Sequence, residues 1–147
     1  MKPLCIMVAV LGAGCCASAS AALGGDVGSV AADRAHLRGA LRTVPTVNYT
    51  VHEISSPGLV LREYATLDGR VFALSWHGQG VPDFRTVLGA YYAEYTRATA
   101  TPSRNHHQLA IDTPQLVLQS AGRTRGYTGR AWAPQLVPAN FALSDLQ

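Results

Sequence analysis

The chain has 147 residues, 48% of them hydrophobic, with 12 basic and 9 acidic side chains and a formal net charge of +3. That length suits one domain or less. The single lysine is Lys2, so the remainder carries 11 arginines against all 9 acidic residues, a net charge of +2. These arginines are scattered and never alternate with stacking aromatics, the pattern a single-strand nucleic-acid binder would need.

In chain order, residues 1–21 have the character of an export signal. Lys2 supplies a short positive start, Leu4 to Leu11 form an apolar stretch, and Ala19-Ser20-Ala21 fits the small-x-small rule for cleavage. The apolar stretch is too short for a membrane span, which takes about 20 residues. All three cysteines, Cys5, Cys15 and Cys16, fall inside this segment. Lipidation of Cys15 or Cys16 would require a bulky aliphatic residue three positions earlier, where Gly12 and Ala13 stand. The expected mature chain begins at Ala22 and is exported to the periplasm or secreted. It has no thiol, hence no disulfide, no thiolate zinc site and no cysteine nucleophile, and after cleavage no transmembrane segment.

Residues 22–46 read as an N-terminal arm or short helix. Val30, Leu37 and Leu41 share one face of a helix starting near Ser29, with Asp33 early and Arg38 and Arg42 late, as the helix dipole favours. Residues 47–147 are then a single domain. Val47 to Ile54 alternates as a strand, Ser55-Ser56-Pro57-Gly58 is a turn, Leu59 to Leu67 is a second strand, and Asp68-Gly69 is a hairpin signal leading into Val71 to His77. With Asp68 and Gly69 as a two-residue loop, Ala65 faces Phe72, Glu63 faces Leu74, and Leu61 faces Trp76. This places Leu61, Ala65, Phe72, Leu74 and Trp76 on one apolar face. Glu63 is the anomaly on that face: a carboxylate among apolar neighbours must find a partner or a raised pKa. A three-residue loop with a bulge would turn it outward.

A glycine bend, His77 to Gly80, leads to Pro82 at a first helical position. Phe84, Val87, Leu88, Tyr91, Tyr92 and Tyr95 then trace an apolar stripe, predicting one helix over 82–97. Thr99 to Asp112 reads as a loop, Gln115 to Ser120 and Tyr127 to Ala133 as paired strands with Gly129 a possible bulge, and Pro134 onward as an extended tail. The expected fold is α+β, an antiparallel sheet of about five strands (meander, helix, hairpin) with the main amphipathic helix on one face.

Several of these residues together resemble one family. They are Arg62-Glu63-Tyr64, Gly69-Arg70-Val71-Phe72-Ala73, Trp76, the Pro82-Asp83 helix start with Leu88-Gly89, and Gly129-Arg130-Ala131 with Pro134 ahead of Leu136-Val137-Pro138. With the export signal before Ala22-Leu23-Gly24-Gly25, the chain resembles the short exported bacterial proteins catalogued as domain of unknown function 2844. Gln79-Gly80 departs from the Gly-Pro expected there. The resemblance implies export and a single fold, and no activity.

For chemistry, Glu63 is the candidate general acid or base, set against a structural ion pair with Arg62, Arg85 or Arg130. His77 falls on the opposite face from it. His106 and His107 are the candidate metal ligands, but adjacent residues diverge on a strand or a helix, and even with His52, His77 and Asp112 a site requires an assumed fold. No metal and no cofactor is expected. There is no G-x-S-x-G elbow, and Gly78-Gln79-Gly80 lacks a phosphate-loop lysine. Tyr92 and Trp132 are the candidate binding residues, since such side chains combine apolar area with a polar tip. The reading is a non-enzymatic interaction or ligand-binding module of the cell envelope, its partner an envelope protein or a small ligand. The alternative is a small hydrolase-like or isomerase-like enzyme using Glu63.

Overall fold

The computed structural model describes residues 23–100 and 108–146. Seven antiparallel strands form one sheet: β1 (Ala40–Pro45), β2 (Tyr49–Ser56), β3 (Leu59–Thr66), β4 (Val71–Gly78), β5 (Gln108–Asp112), β6 (Val117–Arg123) and β7 (Gly126–Trp132). Their spatial order is β1-β2-β3-β4-β7-β6-β5. The first four strands run as a meander. The chain then crosses to the far edge, lays down β5, and works back until β7 pairs with β4.

Two strands are additions to the five expected. β1 lies in the residues read as an arm or helix, and β5 in those read as a loop. Both are edge strands with most residues exposed. Neither carries the apolar alternation by which a half-buried strand is recognised, because an edge strand can be held by its backbone hydrogen bonds alone.

α1 (Gly28–Leu37) starts where the sequence places it and ends at Arg38, whose φ of 50° turns the chain into β1. The expected helix over 82–97 is broken into α2 (Phe84–Leu88), a 3-10 turn (Gly89–Tyr91) and α3 (Tyr92–Thr99). Gly89 breaks it by taking φ 48° and ψ −117°, outside the helical region. Asp83 caps α2, accepting from the Arg85 backbone N–H at 3.0 Å and from the Thr86 hydroxyl at 2.9 Å. The apolar stripe survives the break: Val87 and Leu88 are buried, and Phe84, Tyr91, Tyr92 and Tyr95 pack against the same core.

The hairpin between β3 and β4 has a three-residue loop, Leu67 to Gly69, because Thr66 and Arg70 already pair across it. The two-residue expectation was off by one position. A bulge then restores the register: Ala65 pairs with Val71 but Tyr64 with Ala73, leaving Phe72 as the extra residue. Loop and bulge cancel, so Glu63 still faces Leu74 and Leu61 still faces Trp76. Glu63 therefore stays inward. Phe72 leaves the expected face and joins the opposite one, beside Tyr64, Ala73 and Phe141.

Both faces of the sheet are covered. On the helix face, α1, α2 and α3 lie over Ile54, Leu61, Leu74, Trp76, Leu118 and Ala131. On the other, the tail face, Leu136, Val137, Phe141 and Leu146 cover Tyr64, Phe72, Ala73, Val117 and Trp132. Phe72 and Phe141 meet edge to face at 4.8 Å.

Gly129 is not a bulge, since β7 pairs without a register shift on either side. A Cβ there would stand 2.3 Å from Trp76 Cζ2 and 2.8 Å from the Gln119 carbonyl oxygen. The glycine leaves room for the Trp76 indole to approach the β7 backbone. Gly129→Ala should therefore cost about 1–3 kcal/mol of stability, as overpacking in a closed core does. Urea denaturation of the variant beside wild type would show it, and equal midpoints would refute that role for the glycine.

Candidate functional site

Glu63 projects from β3 onto the helix face and is fully buried. Its counterpart comes from α1. Asp33 follows Val30 by one turn, so it lies on the stripe that α1 presses onto the sheet, and it is 1% exposed. The two carboxyl groups are each other's hydrogen-bonding neighbours. Among the described residues, no fixed N–H or O–H donor reaches any of their four oxygens. None of the three arginines expected as partners does so. Arg62 pairs instead with Glu53 at 2.7 Å, Arg85 lies over the Tyr92 ring, and Arg130 reaches Gln119.

Two carboxyls in contact away from water hold together only by sharing a proton, because a pair of adjacent buried anions is strongly unfavourable. Burial is the largest cause of the shift in each. Glu63 is pushed up to about 9, and Asp33 to about 6, with the neighbouring Glu63 and His36 restraining its rise. His52, directly across from Glu63 on β2, is also buried. Its Nδ1 meets the Thr43 hydroxyl at 3.1 Å, and burial lowers its pKa.

Of the two alternatives expected for Glu63, burial gives the raised pKa, and among the described residues no basic partner reaches it. Asp33 was missed as its neighbour because it was assigned to the helix dipole, although its spacing from Val30 already put it on the packed face. Among the described residues, no group of three His, Cys, Asp or Glu side chains could hold a metal ion. His106 and His107 lie outside the described residues. His77 is exposed on the tail face, away from Glu63.

The two aromatic candidates part company. Tyr92 stacks on Tyr95 at 5.7 Å, with the Arg85 guanidinium 5.4 Å above its ring, and belongs to the helix layer. Trp132 is 8% exposed in the tail-face core, and the Arg130 guanidinium lies over it at 5.6 Å.

Arg130 leads to a surface the sequence did not single out. Strand register places Arg42, Glu53, Arg62, Ser75, Arg130, Gln119 and Ala110 in one row across all seven strands on the tail face. The next row toward the tail runs through Val51, Tyr64, Ala73, Trp132 and Val117 and is roofed by tail residues. Described tail residues meet the polar row at this boundary, where Arg130 reaches the Leu143 carbonyl at 3.4 Å and Tyr64 donates to the Asp145 carbonyl at 3.3 Å. Beyond it, β5, β6 and β7 form the floor of a cavity of about 440 Å3, with Ala110, Ala121, Thr128 and Arg130 in its lining and Leu146 at its rim. Among the described residues, no carboxylate lines it. Volumes of about 300–1,000 Å3 are those of ordinary small-molecule sites.

Comparison with known families gives a match over most of the chain. The model for a protein of unknown function, DUF2844, covers residues 19–146. The chain belongs to this family. No curated protein and no solved structure matches the DUF2844 chain. No described helix of it is long and apolar enough to cross a membrane.

The carboxyl pair makes stability fall with pH. Both groups have folded pKa values above their unfolded ones of 4.5 and 3.8, so the folded state holds the extra proton. That contribution is complete below about pH 4 and drains away as pH rises through about 6 and then about 9. His52 acts with the opposite sign, its lowered pKa costing stability as pH falls, so the window from pH 7 to 9 isolates Glu63. There wild-type unfolding free energy should drop toward a slope of about 1.4 kcal/mol per pH unit for one proton. Glu63→Gln, which donates to Asp33 without titrating, should flatten that slope in denaturation series at fixed pH; parallel slopes would refute the shared proton.

Proposed function

We propose that this DUF2844 protein is an exported component of the cell envelope that binds a small ligand, with the uncovered half of its tail face as the binding surface. The observation that carries this is the cavity over β5, β6 and β7, outside the tail's cover and inside a row of polar side chains. Concave, partly apolar surfaces with a few converging polar groups are where small ligands bind. Trp132 takes part by supporting Arg130 from below rather than by touching the ligand with its ring face.

The enzyme alternative finds less support. Glu63 is closed off from solvent, as is Asp33, so no substrate reaches a carboxyl oxygen while α1 is seated. Their proton is better understood as holding α1 to the sheet.

Export is tested first: intact mass of the protein recovered from its host's periplasm or medium should correspond to a chain starting at Ala22. A retained Met1 or a lipid adduct would overturn it. For binding, native mass spectrometry of that material should reveal a small molecule held by the wild type and absent from Ala121→Trp, which fills the cavity at a half-exposed position. A bare wild-type protein, or equal retention by the variant, would overturn the binding surface.

A further inference from the structure

We propose that the cavity over β5, β6 and β7 takes an apolar molecule bearing one carboxylate, with Arg130 holding the carboxylate and Ala110, Ala121 and Leu146 the chain. This rests on the binding surface inferred above and adds the ligand's chemistry.

The placement of the charge comes first. Arg130 lines the cavity and has no carboxylate within ion-pair reach among the described residues. Its Nε donates to Gln119 Oε1 at 2.9 Å and one terminal nitrogen points to the Leu143 carbonyl. These contacts and the indole of Trp132 beneath fix the guanidinium without neutralising it. A preset guanidinium loses little entropy on receiving a carboxylate and offers it a planar, charge-assisted hydrogen bond.

The floor is distinctive second. Ala110 and Ala121 are register neighbours of Gln119 and Thr128, so small residues sit beside polar ones where two strands meet. Leu146 closes one side. Small side chains leave depth for an apolar chain, while Gln119 and Thr128 satisfy a polar end. Among the described residues Arg130 is the one charged side chain in the cavity's lining, which suits a ligand with a single negative charge.

The test uses the exported full chain and the fluorescence of its two tryptophans, one of which lies under Arg130. Decanoate should bind at least about tenfold more tightly than 1-decanol, the preference a charge-assisted contact provides. Arg130→Gln should erase the preference by weakening decanoate binding far more than decanol binding. Arg130→Lys, keeping the charge but not the fork, should retain part of it. Equal binding of acid and alcohol by wild type, an unchanged preference in Arg130→Gln, or no binding of either probe would each overturn the proposal. A retained native ligand that lacks a carboxylate and is lost from Ala121→Trp would overturn it too, while leaving the binding surface intact.

Discussion

The structure depends on one constraint: β4 is buried on both sides. Six consecutive residues, Val71 to Trp76, are shielded from water, so the strand at the middle of the sheet needs a cover on each face. A chain without cysteine beyond residue 16 has no disulfide to lean on among its described residues, and this double burial is its main source of cohesion. The helices supply one cover and the carboxy-terminal tail the other. The bulge at Phe72 is what lets two neighbouring residues of β4, Phe72 and Ala73, contribute to the same side.

The covers are unequal, and their inequality organises the surface. On the helix face the layer is thick enough to enclose two carboxyl groups completely, and burial raises the pKa of both, which favours a protonated pair there. On the tail face the covering segment, which the sequence suggests is extended, is a run of turns ending in a 3-10 turn at Leu143–Asp145. It roofs one row of the sheet and leaves the β5–β6 end of the next row, Gln119 and Ala110, exposed. A sealed polar pair on one side and an open polar row on the other are consequences of the same architecture. The first holds α1 against β2 and β3. The second leaves Arg130 facing solvent above Trp132.

Glu63 shows how far residue patterns reach. Its anomaly is visible as a charge inside an apolar alternation, and the requirement for a partner follows from desolvation alone. The partner's identity does not follow, because three arginines were available by charge and Asp33, an acid, was the least expected on that criterion. Only the seating of α1 brings it there. The same limit appears in Gly89, whose place in an apolar stripe looks harmless while its backbone breaks the helix.

What the amino-acid sequence determined by itself is the set of elements with a strong local period: the strands from Tyr49 to Gly78, their hairpin, the capped start at Asp83, and with them the α+β class and the family resemblance. Local side-chain alternation and turn chemistry suffice for those, since they act between residues close in the chain. Tertiary structure alone decided the two edge strands, the cancellation of loop and bulge, the Asp33–Glu63 contact and the open row carrying Arg130. Each of these joins residues distant in sequence through backbone pairing or burial, and neither leaves a periodic mark on the side chains that take part.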